Sequence, residues 1–591
     1  MDDQIKVLKE QLAKDFLLLN DLENNLRCEN DPGQRLKWTD NITRIKEEIK
    51  KRQNEIQKIE REIRSQETNS GITVGNGNIL EPPTNSKRHQ NLIRRHFKKI
   101  LIFIGSMGIG LLLTILIWKL TLNSSNTITI CPNSKENSNI NLSIVKSLSC
   151  GENSLISGSI LNDKSKGIEA YKNNDYPTAI KLLEIVRRKE PNDPETLIYL
   201  NNARIERDKK PAYTIAVVVP INNNLYTSLQ ILRGVAQAQE QFLSKEEYQP
   251  QIGLKVLIAD DANDVNRARE IAKTLVQQKH ILAVIGHYAS DLTLQTRDIY
   301  EKGKLVSVSP GSTSAELPRP KDDFFFRTIP SLKINTISVA RYLENKNIHE
   351  IAVFYNPSSD FSKSFLNELN NTFTAYHIDI INNLQDRDFS LSNPFFKPRN
   401  AIKKANARGV KAFVIIPDGG TTNYSLRNAF KLIKASPNDF VMVGANPLFT
   451  DETLLLGEDI VTRLVVTTPW IQTTVSQSNF AKKAEELWQG REISPWAVTA
   501  YDAAEVLIQA LFINIKDKPT RLNLRDNLAD PRFEAKGADE TNLIKFENGN
   551  RKKEKVELAK IVKSKCSEFG YSFVPEEYQE EQIKQLESSC H

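Results

Sequence analysis

The sequence predicts an α/β protein built around a two-lobed domain, preceded by an α-helical coiled-coil hairpin, one transmembrane helix and a short helical pair. Three observations carry this expectation. Heptad-spaced apolar residues run through the first 66 positions, an uncharged apolar run extends from Ile100 to Trp118, and from Tyr213 onward β-rich runs alternate with helical patterns twice over. A chain of 591 residues is too long for one ordinary core. The expected order is a cytoplasmic coiled-coil hairpin at 1–66, a flexible linker with a basic juxtamembrane cluster at 67–99, and the span at 100–122. An extracytoplasmic linker at 123–162, the helical pair at 163–207, the two-lobed domain at 212–578 and a tail at 579–591 follow.

The hairpin rests on two stripes. Ile5, Leu8, Leu12, Leu19, Leu22 and Leu26 recur at intervals of three and four with one missed position at Asp15. Trp38, Ile42, Ile45, Ile49, Ile56, Ile59 and Ile63 repeat the rhythm. Between them Asp31-Pro32-Gly33 removes a backbone donor and supplies a permissive residue, so the helix breaks there. A second copy, giving a homodimer, or a cytoplasmic signalling partner would complete the exposed stripe; a plain spacer is the alternative. Residues 67–89 are rich in Asn, Gly, Pro, Ser and Thr without periodicity, which reads as a linker.

The run ILIFIGSMGIGLLLTILIW is long enough, at 1.5 Å per helical residue, to cross a hydrocarbon core of ~30 Å. Lys87, Arg88, Arg94, Arg95, Lys98 and Lys99 crowd its N-terminal side, while Lys119 is followed by uncharged residues. This asymmetry keeps the N-terminus in the cytoplasm of a single-pass inner-membrane protein and puts the rest outside, in a periplasm or its equivalent. Cys131, Cys150, Cys566 and Cys590 lie beyond the span, an even number that permits Cys131–Cys150 and Cys566–Cys590 as loop clips or leaves free thiols. The 80 basic residues are dispersed among 73 acidic ones, for a net charge of +7, which argues against a nucleic-acid partner.

After the span, Gly167, Ala179 and Pro191 fall at even spacing among bulky residues, a pattern that resembles one tetratricopeptide repeat. A lone repeat cannot bury its own face, so it should pack on the neighbouring domain or on another copy. In that neighbouring domain TIAVVV, LKVLIA, LAVIG and LVSVS read as strands of a first lobe, and IAVFY, IDIIN, AFVIIP, FVMVGA and RLVVTT as strands of a second. Two lobes imply a cleft, and ligands of open α/β sheets sit beyond the carboxyl ends of the strands.

Suggestive polar groups stand at those ends. Gly286-His287-Tyr288-Ala289-Ser290 opens a helix after one strand, and Ser309-Pro310-Gly311-Ser312-Thr313-Ser314 follows the next. Amides at a helix start accept a carboxylate or phosphate without a charged side chain, whereas simple helix capping would account for Ser290 and Thr313 without a ligand. The seven histidines offer no HxxxH or HExxH spacing. His287 is the one at a predicted strand end. No catalytic residue, metal or cofactor is therefore expected, and the chain is not read as an enzyme.

The segments LIADDANDVNRAREIAKTLV, VIGHYASDLTLQ, LVSVSPGSTSAEL, FFFRTIPS and WAVTAYDAAEVLIQAL resemble the type I periplasmic-binding-protein fold. The resemblance is to its leucine/isoleucine/valine-binding branch of ABC transporter substrate-binding proteins, and it covers about 213–578. It implies two hinged lobes closing over an amino acid. It places carboxylate contacts at Ser290, Gly311 and Thr313, with Ser312 between them, and an aromatic contact at Phe361. Where the family has an acid for the ligand ammonium, this sequence has Asn446; Asp418 is the other acid at a strand end, with turn formation as its alternative role. A buried ammonium without a counter-charge is costly, so either Asp418 compensates and the ligand is an amino acid, or it is a related carboxylate, a small amide or no small ligand at all; an amino acid or related carboxylate is the first reading. Delivery to an ABC permease for import is the first functional reading. A receptor that senses such a ligand and signals through the cytoplasmic coiled coil is the second.

Overall fold

The structure, a computed structural model, describes residues 142–156, 161–244, 252–317, 324–456, 463–472, 478–489, 493–513, 518–553, 555–565, 567 and 569–588. It also describes six positions nearer the N-terminus. Met1–Thr121 and Leu122–His591 are separate compact units, each taken by itself. In the first, Arg44, Ile45, Glu48, Lys51, Arg52 and Glu55 are helical, and Glu48 lies 4.0 Å from Arg44 and 3.8 Å from Arg52. The expected hairpin is otherwise outside the described residues, as are the linker at 67–99 and the span at 100–122. Among the described residues no helix is long and apolar enough to cross a membrane.

The second unit begins earlier than its sequence pattern suggested. Residues expected to be linker form a helical turn, Leu142–Val145, and strand β1, Leu148–Ser149. Leu148 pairs with Ala259 and Ser149 with Ile258, antiparallel, so this segment is an edge strand of the first lobe. Buried Cys150 follows and is disulfide-bonded. Cys131, Cys566 and Cys590 lie outside the described residues.

Three helices come next, one more than the expected pair: α1 (Asn162–Lys172), α2 (Tyr176–Lys189) and α3 (Pro194–Arg207). Asp175 and Asp193 accept from the amides of Thr178 and Thr196 to cap α2 and α3, and a proline sits in the first turn of each. Gly167 lets α1 approach α2 so closely that a Cβ there would lie 3.1 Å from Leu183. Lys164 is buried between Asp193 at 2.6 Å and Glu195 at 2.7 Å. Glu195, fully buried, also accepts from the Leu155 amide and the Ser154 hydroxyl, which ties the incoming chain to α3.

The first lobe continues with β2 (Ala212–Val219), α4 (Leu225–Ser244), β3 (Gly253–Asp260), α5 (Val265–Gln277), β4 (Ile281–Ile285), α6 (Ser290–Lys302), β5 (Val306–Ser309) and β6 (Phe325–Arg327). Strands β2 to β6 are parallel, with β2 at the centre between β3 and β4, the outcome expected of apolar strands alternating with crossover helices. The amide side chain of Asn202 on α3 bonds both the carbonyl and the amide of Val256 and the carbonyl of Cys150. The helical segment is thereby stitched to the sheet.

At residues 328–331 the chain crosses to the second lobe: α7 (Leu332–Asn345), β7 (Glu350–Tyr355), α8 (Asp360–Tyr376), β8 (Asp379–Ile380), α9 (Pro398–Asn406), β9 (Ala412–Ile416), α10 (Ser425–Ala435), β10 (Val441–Gly444) and β11 (Leu464–Thr468). It then returns. Helices α11 (Asn479–Trp488), α12 (Pro495–Phe512) and α13 (Arg521–Ala529) and the hairpin β12 (Phe546–Glu547) and β13 (Asn550–Arg551) join the first lobe. A last crossing leads to β14 (Glu557–Lys563), which pairs antiparallel with β11, and β15 (Tyr571–Pro575), which pairs antiparallel with β14 at the sheet edge. Helix α14 (Glu580–Ser588) occupies what was expected to be a tail.

The return depends on α12, whose motif residues lie flat on α4. A Cβ at Gly234 would stand 2.1 Å from the Ala497 carbonyl oxygen and 2.7 Å from the Tyr501 amide, so the two backbones touch. Asp502 on α12 bonds Arg551 at 2.6 Å and the Ala538 amide at 2.7 Å, which holds the β12–β13 hairpin in place. Gly234→Ala should therefore lower unfolding stability by at least about 2 kcal/mol, since neither obstructing group is a flexible side chain. Glu195→Ala, which leaves Lys164 with Asp193 alone and takes the acceptor from the Leu155 amide, should cost about 1–3 kcal/mol. Urea denaturation of each variant measures both.

Candidate functional site

Strand ends from both lobes converge on one pocket. Tyr288, Ala289, Ser290 and Asp291 come from the turn after β4 and the start of α6, and Gly311 and Thr313 from the loop after β5. The second lobe contributes Phe361 from the first turn of α8, Gly419 after β9, and Asn446 and Pro447 after β10. Trp496, in the first turn of α12, completes the wall. With the lobes touching, the cavity volume is about 20 Å³, room for about one water molecule.

The anion end is built from α6 and the β5 loop. Ser290 Oγ accepts from the amides of Thr313 at 3.2 Å and Ser314 at 3.3 Å, which draws the loop onto the helix start. Gly311 is required there, because a Cβ would meet the Tyr288 carbonyl oxygen at 2.5 Å. Thr313 Oγ1 and Trp496 Nε1 are both buried in the pocket wall with no hydrogen-bond partner. Buried polar atoms are ordinarily paired, so two unpaired ones beside a cavity mark it as a place for a ligand or water.

Of the residues singled out in the sequence, Ser290, Gly311, Thr313, Phe361 and Asn446 line the pocket, and two do not. Ser312 turns inward, bonding Thr293 Oγ1 at 2.6 Å and the His287 carbonyl at 3.2 Å. Asp418 closes its own loop, accepting from the Gly420 amide at 2.8 Å, the Thr422 hydroxyl at 2.5 Å and the Asn356 amide nitrogen. It acts as a turn former one residue before Gly419, which lines the cavity. Burial raises its carboxyl above the ordinary carboxylate value against the pull of those donors, Thr422 foremost.

Asp291, which the sequence reading passed over, is the acid in the wall. Its carboxylate crosses the cleft to cap α8, accepting from the Asp360 amide at 2.6 Å and the Ser359 hydroxyl at 3.0 Å. Ala315 N donates to Ser364 Oγ at 3.1 Å, and the Asn263 amide nitrogen to the Gly419 carbonyl at 3.1 Å, so the lobes touch on both sides of the pocket. Tyr288 and Trp496, also missed, pack edge to face at 5.1 Å. Tyr288 stood inside the strand-end segment already singled out, whereas Trp496 sits on a helix remote in sequence from every strand end. Burial holds the Tyr288 phenol well above its ordinary value, so it stays protonated.

His287 is fully buried behind the pocket, with Nδ1 2.6 Å from Asp261 and Nε2 3.0 Å from the Tyr300 hydroxyl. Both ring nitrogens are engaged, and no nucleophile adjoins them. Among the described residues no cluster of His, Cys, Asp or Glu is placed to hold a metal ion.

Burial in the seam raises the Asp291 carboxyl above its ordinary value, the Asp360 amide and Ser359 hydroxyl offsetting this in part. The touching arrangement thus holds that proton more tightly than separated lobes would. Its contribution to lobe contact is complete below the usual carboxylate range of ~3.9 and is lost as pH rises through the raised value. Small-angle scattering should show wild-type lobe separation increasing across that window, and Asp291→Asn should remove the pH dependence.

A family model described as periplasmic binding protein matches residues 231–565, more than half of the chain. An amino acid binding protein of Pseudomonas aeruginosa is 31% identical over 88 residues, 15% of this chain and 23% of that protein, so the match spans less than a quarter of the relative's length. An ABC-transporter solute-binding protein of R. palustris, solved with 4-hydroxybenzoate, superposes with a TM-score of 0.51 at 12% identity over 62% of this chain and 96% of that one. One from Rhodopseudomonas palustris BisB5, solved with 3,4-dihydroxybenzoic acid, does so at 0.50 and 14% identity over 61% and 95%. With the two sheets, the repeated crossings and the cleft pocket, the matched family model makes this chain a member of the periplasmic binding protein family.

Proposed function

We propose that the protein is a membrane-anchored extracytoplasmic solute-binding protein whose lobes close over a small ligand, an amino acid or related carboxylate, for ABC-type import. The observation that carries this reading is a pocket walled by both lobes in which Thr313 Oγ1 and Trp496 Nε1 lack partners. Free amides at the start of α6 beside them suit a negative end without any basic side chain. An amino-acid-binding relative and two benzoate-bound relatives of the fold support carboxylates as the ligand class. Anchoring and orientation rest on the apolar run at 100–118 and the basic residues before it. An ABC permease is the partner this role requires.

The heptad stripes ahead of the span favour a second reading, in which ligand closure is sensed and passed to the cytoplasmic coiled coil. Thermal unfolding of the full chain in detergent, with a panel of amino acids and small carboxylates, tests ligand binding. A ligand at a hundred times its dissociation constant should add about 2.7 kcal/mol, and a flat response across the panel would count against the proposal. Deleting residues 1–66 separates the two readings: import persists if they are dispensable for delivery, whereas a lost cellular response with normal import identifies a sensor.

A further inference from the structure

The polar atoms around the pocket divide unevenly between donors and acceptors. Thr313 Oγ1 and Trp496 Nε1 are unpaired. Asn446 gives its amide oxygen to the Thr467 hydroxyl at 2.8 Å, which leaves its NH2 as the end without a protein partner. The acceptors, by contrast, are in use. Both Asp291 oxygens are taken by α8 and Ser359, the Asp418 carboxylate by its own loop, and Ser290 Oγ by two amides. No lysine, arginine or histidine is in the wall.

A ligand matched to this surface brings acceptors, because a buried donor left unpaired is costly and a donor set against a donor is worse. An α-ammonium group beside Asn446 and Trp496 would meet their N–H groups, and the carboxylate in the wall, Asp291, is already directed to the Asp360 amide and the Ser359 hydroxyl of the other lobe. An α-keto oxygen in its place would accept from them. Tyr288, Phe361 and Pro447 offer apolar surface for the remainder of the ligand.

We infer that the pocket takes a small carboxylate without an ammonium group, such as an α-keto acid, in preference to the amino acid of the same carbon skeleton, and that Asn446 sets this choice. This rests on the solute-binding reading above and narrows its ligand class. Asn446→Asp adds a second acid to the wall, on the side of Asn446 and Trp496, and still accepts from Thr467.

Calorimetric titration of the full chain uses matched pairs: leucine with its α-keto acid, phenylalanine with phenylpyruvate, and benzoate as an acid lacking any α-substituent. The keto acid or benzoate should bind at least about tenfold more tightly than the amino acid, and Asn446→Asp should reverse the order. Trp496→Phe, which keeps the ring and removes the N–H, should weaken keto-acid binding while leaving circular dichroism unchanged. Tighter binding of the amino acid by the wild type overturns this inference and upholds solute binding; binding of neither member of any pair overturns both.

Discussion

The architecture depends on a contact between two helix backbones. Because Gly234 carries no side chain, α12 lies directly on α4, with the Ala497 carbonyl and the Tyr501 amide where a Cβ would stand. That contact recruits the segment from α11 to β13 back to the first lobe after most of the second has been built. Among the described residues the chain consequently passes between lobes near 328–331, 469–478 and 552–556. Several strands of connection constrain the lobes to rotate about a common line rather than drift apart, the usual mechanics of hinged domains. The same helix carries Trp496 into the cleft, so the element that organises the fold also supplies a wall of the pocket.

The pocket handles charge by geometry. Its negative pole of attraction is a helix start and a serine–threonine loop, arranged by Ser290 gathering two loop amides. The acid nearest to it, Asp291, is directed away into the opposite lobe, where the amide at the start of α8 receives it. One helix terminus therefore faces the guest while the other holds the wall shut, and the two are joined by consecutive residues.

Much of this was legible from periodicity. Every apolar run read as a strand between residues 213 and 468 forms one, because runs of Val and Ile flanked by crossover helices fit a buried parallel sheet. The strand-end rule pointed to the segments that hold Ser290, Gly311 and Thr313, because in parallel sheets all strand ends of one kind share an edge, while Phe361 and Asn446 came from the family resemblance. It could not weigh one loop atom against another. Ser312 and Ser290 are both loop hydroxyls, and Asp418 and Asp291 both follow strands, yet backbone direction sends one of each pair away from the cavity. Trp496 and the segment at 142–149 escaped notice because tertiary contacts, not local pattern, give them their places. Apart from six helical positions between 44 and 55, the hairpin of residues 1–66 lies outside the described residues, as does the span.

Strand β1 has a mechanical meaning. By pairing with β3, and through the side chain of Asn202, which bonds the Cys150 carbonyl and Val256, the stretch that enters the domain is fastened to the first lobe's sheet. Any pull arriving through the preceding residues is borne by that lobe alone. The second lobe, joined by its connecting segments and the few hydrogen bonds across the cleft, is then the part free to swing, and a partner gripping it would feel the presence of a guest as a change of position.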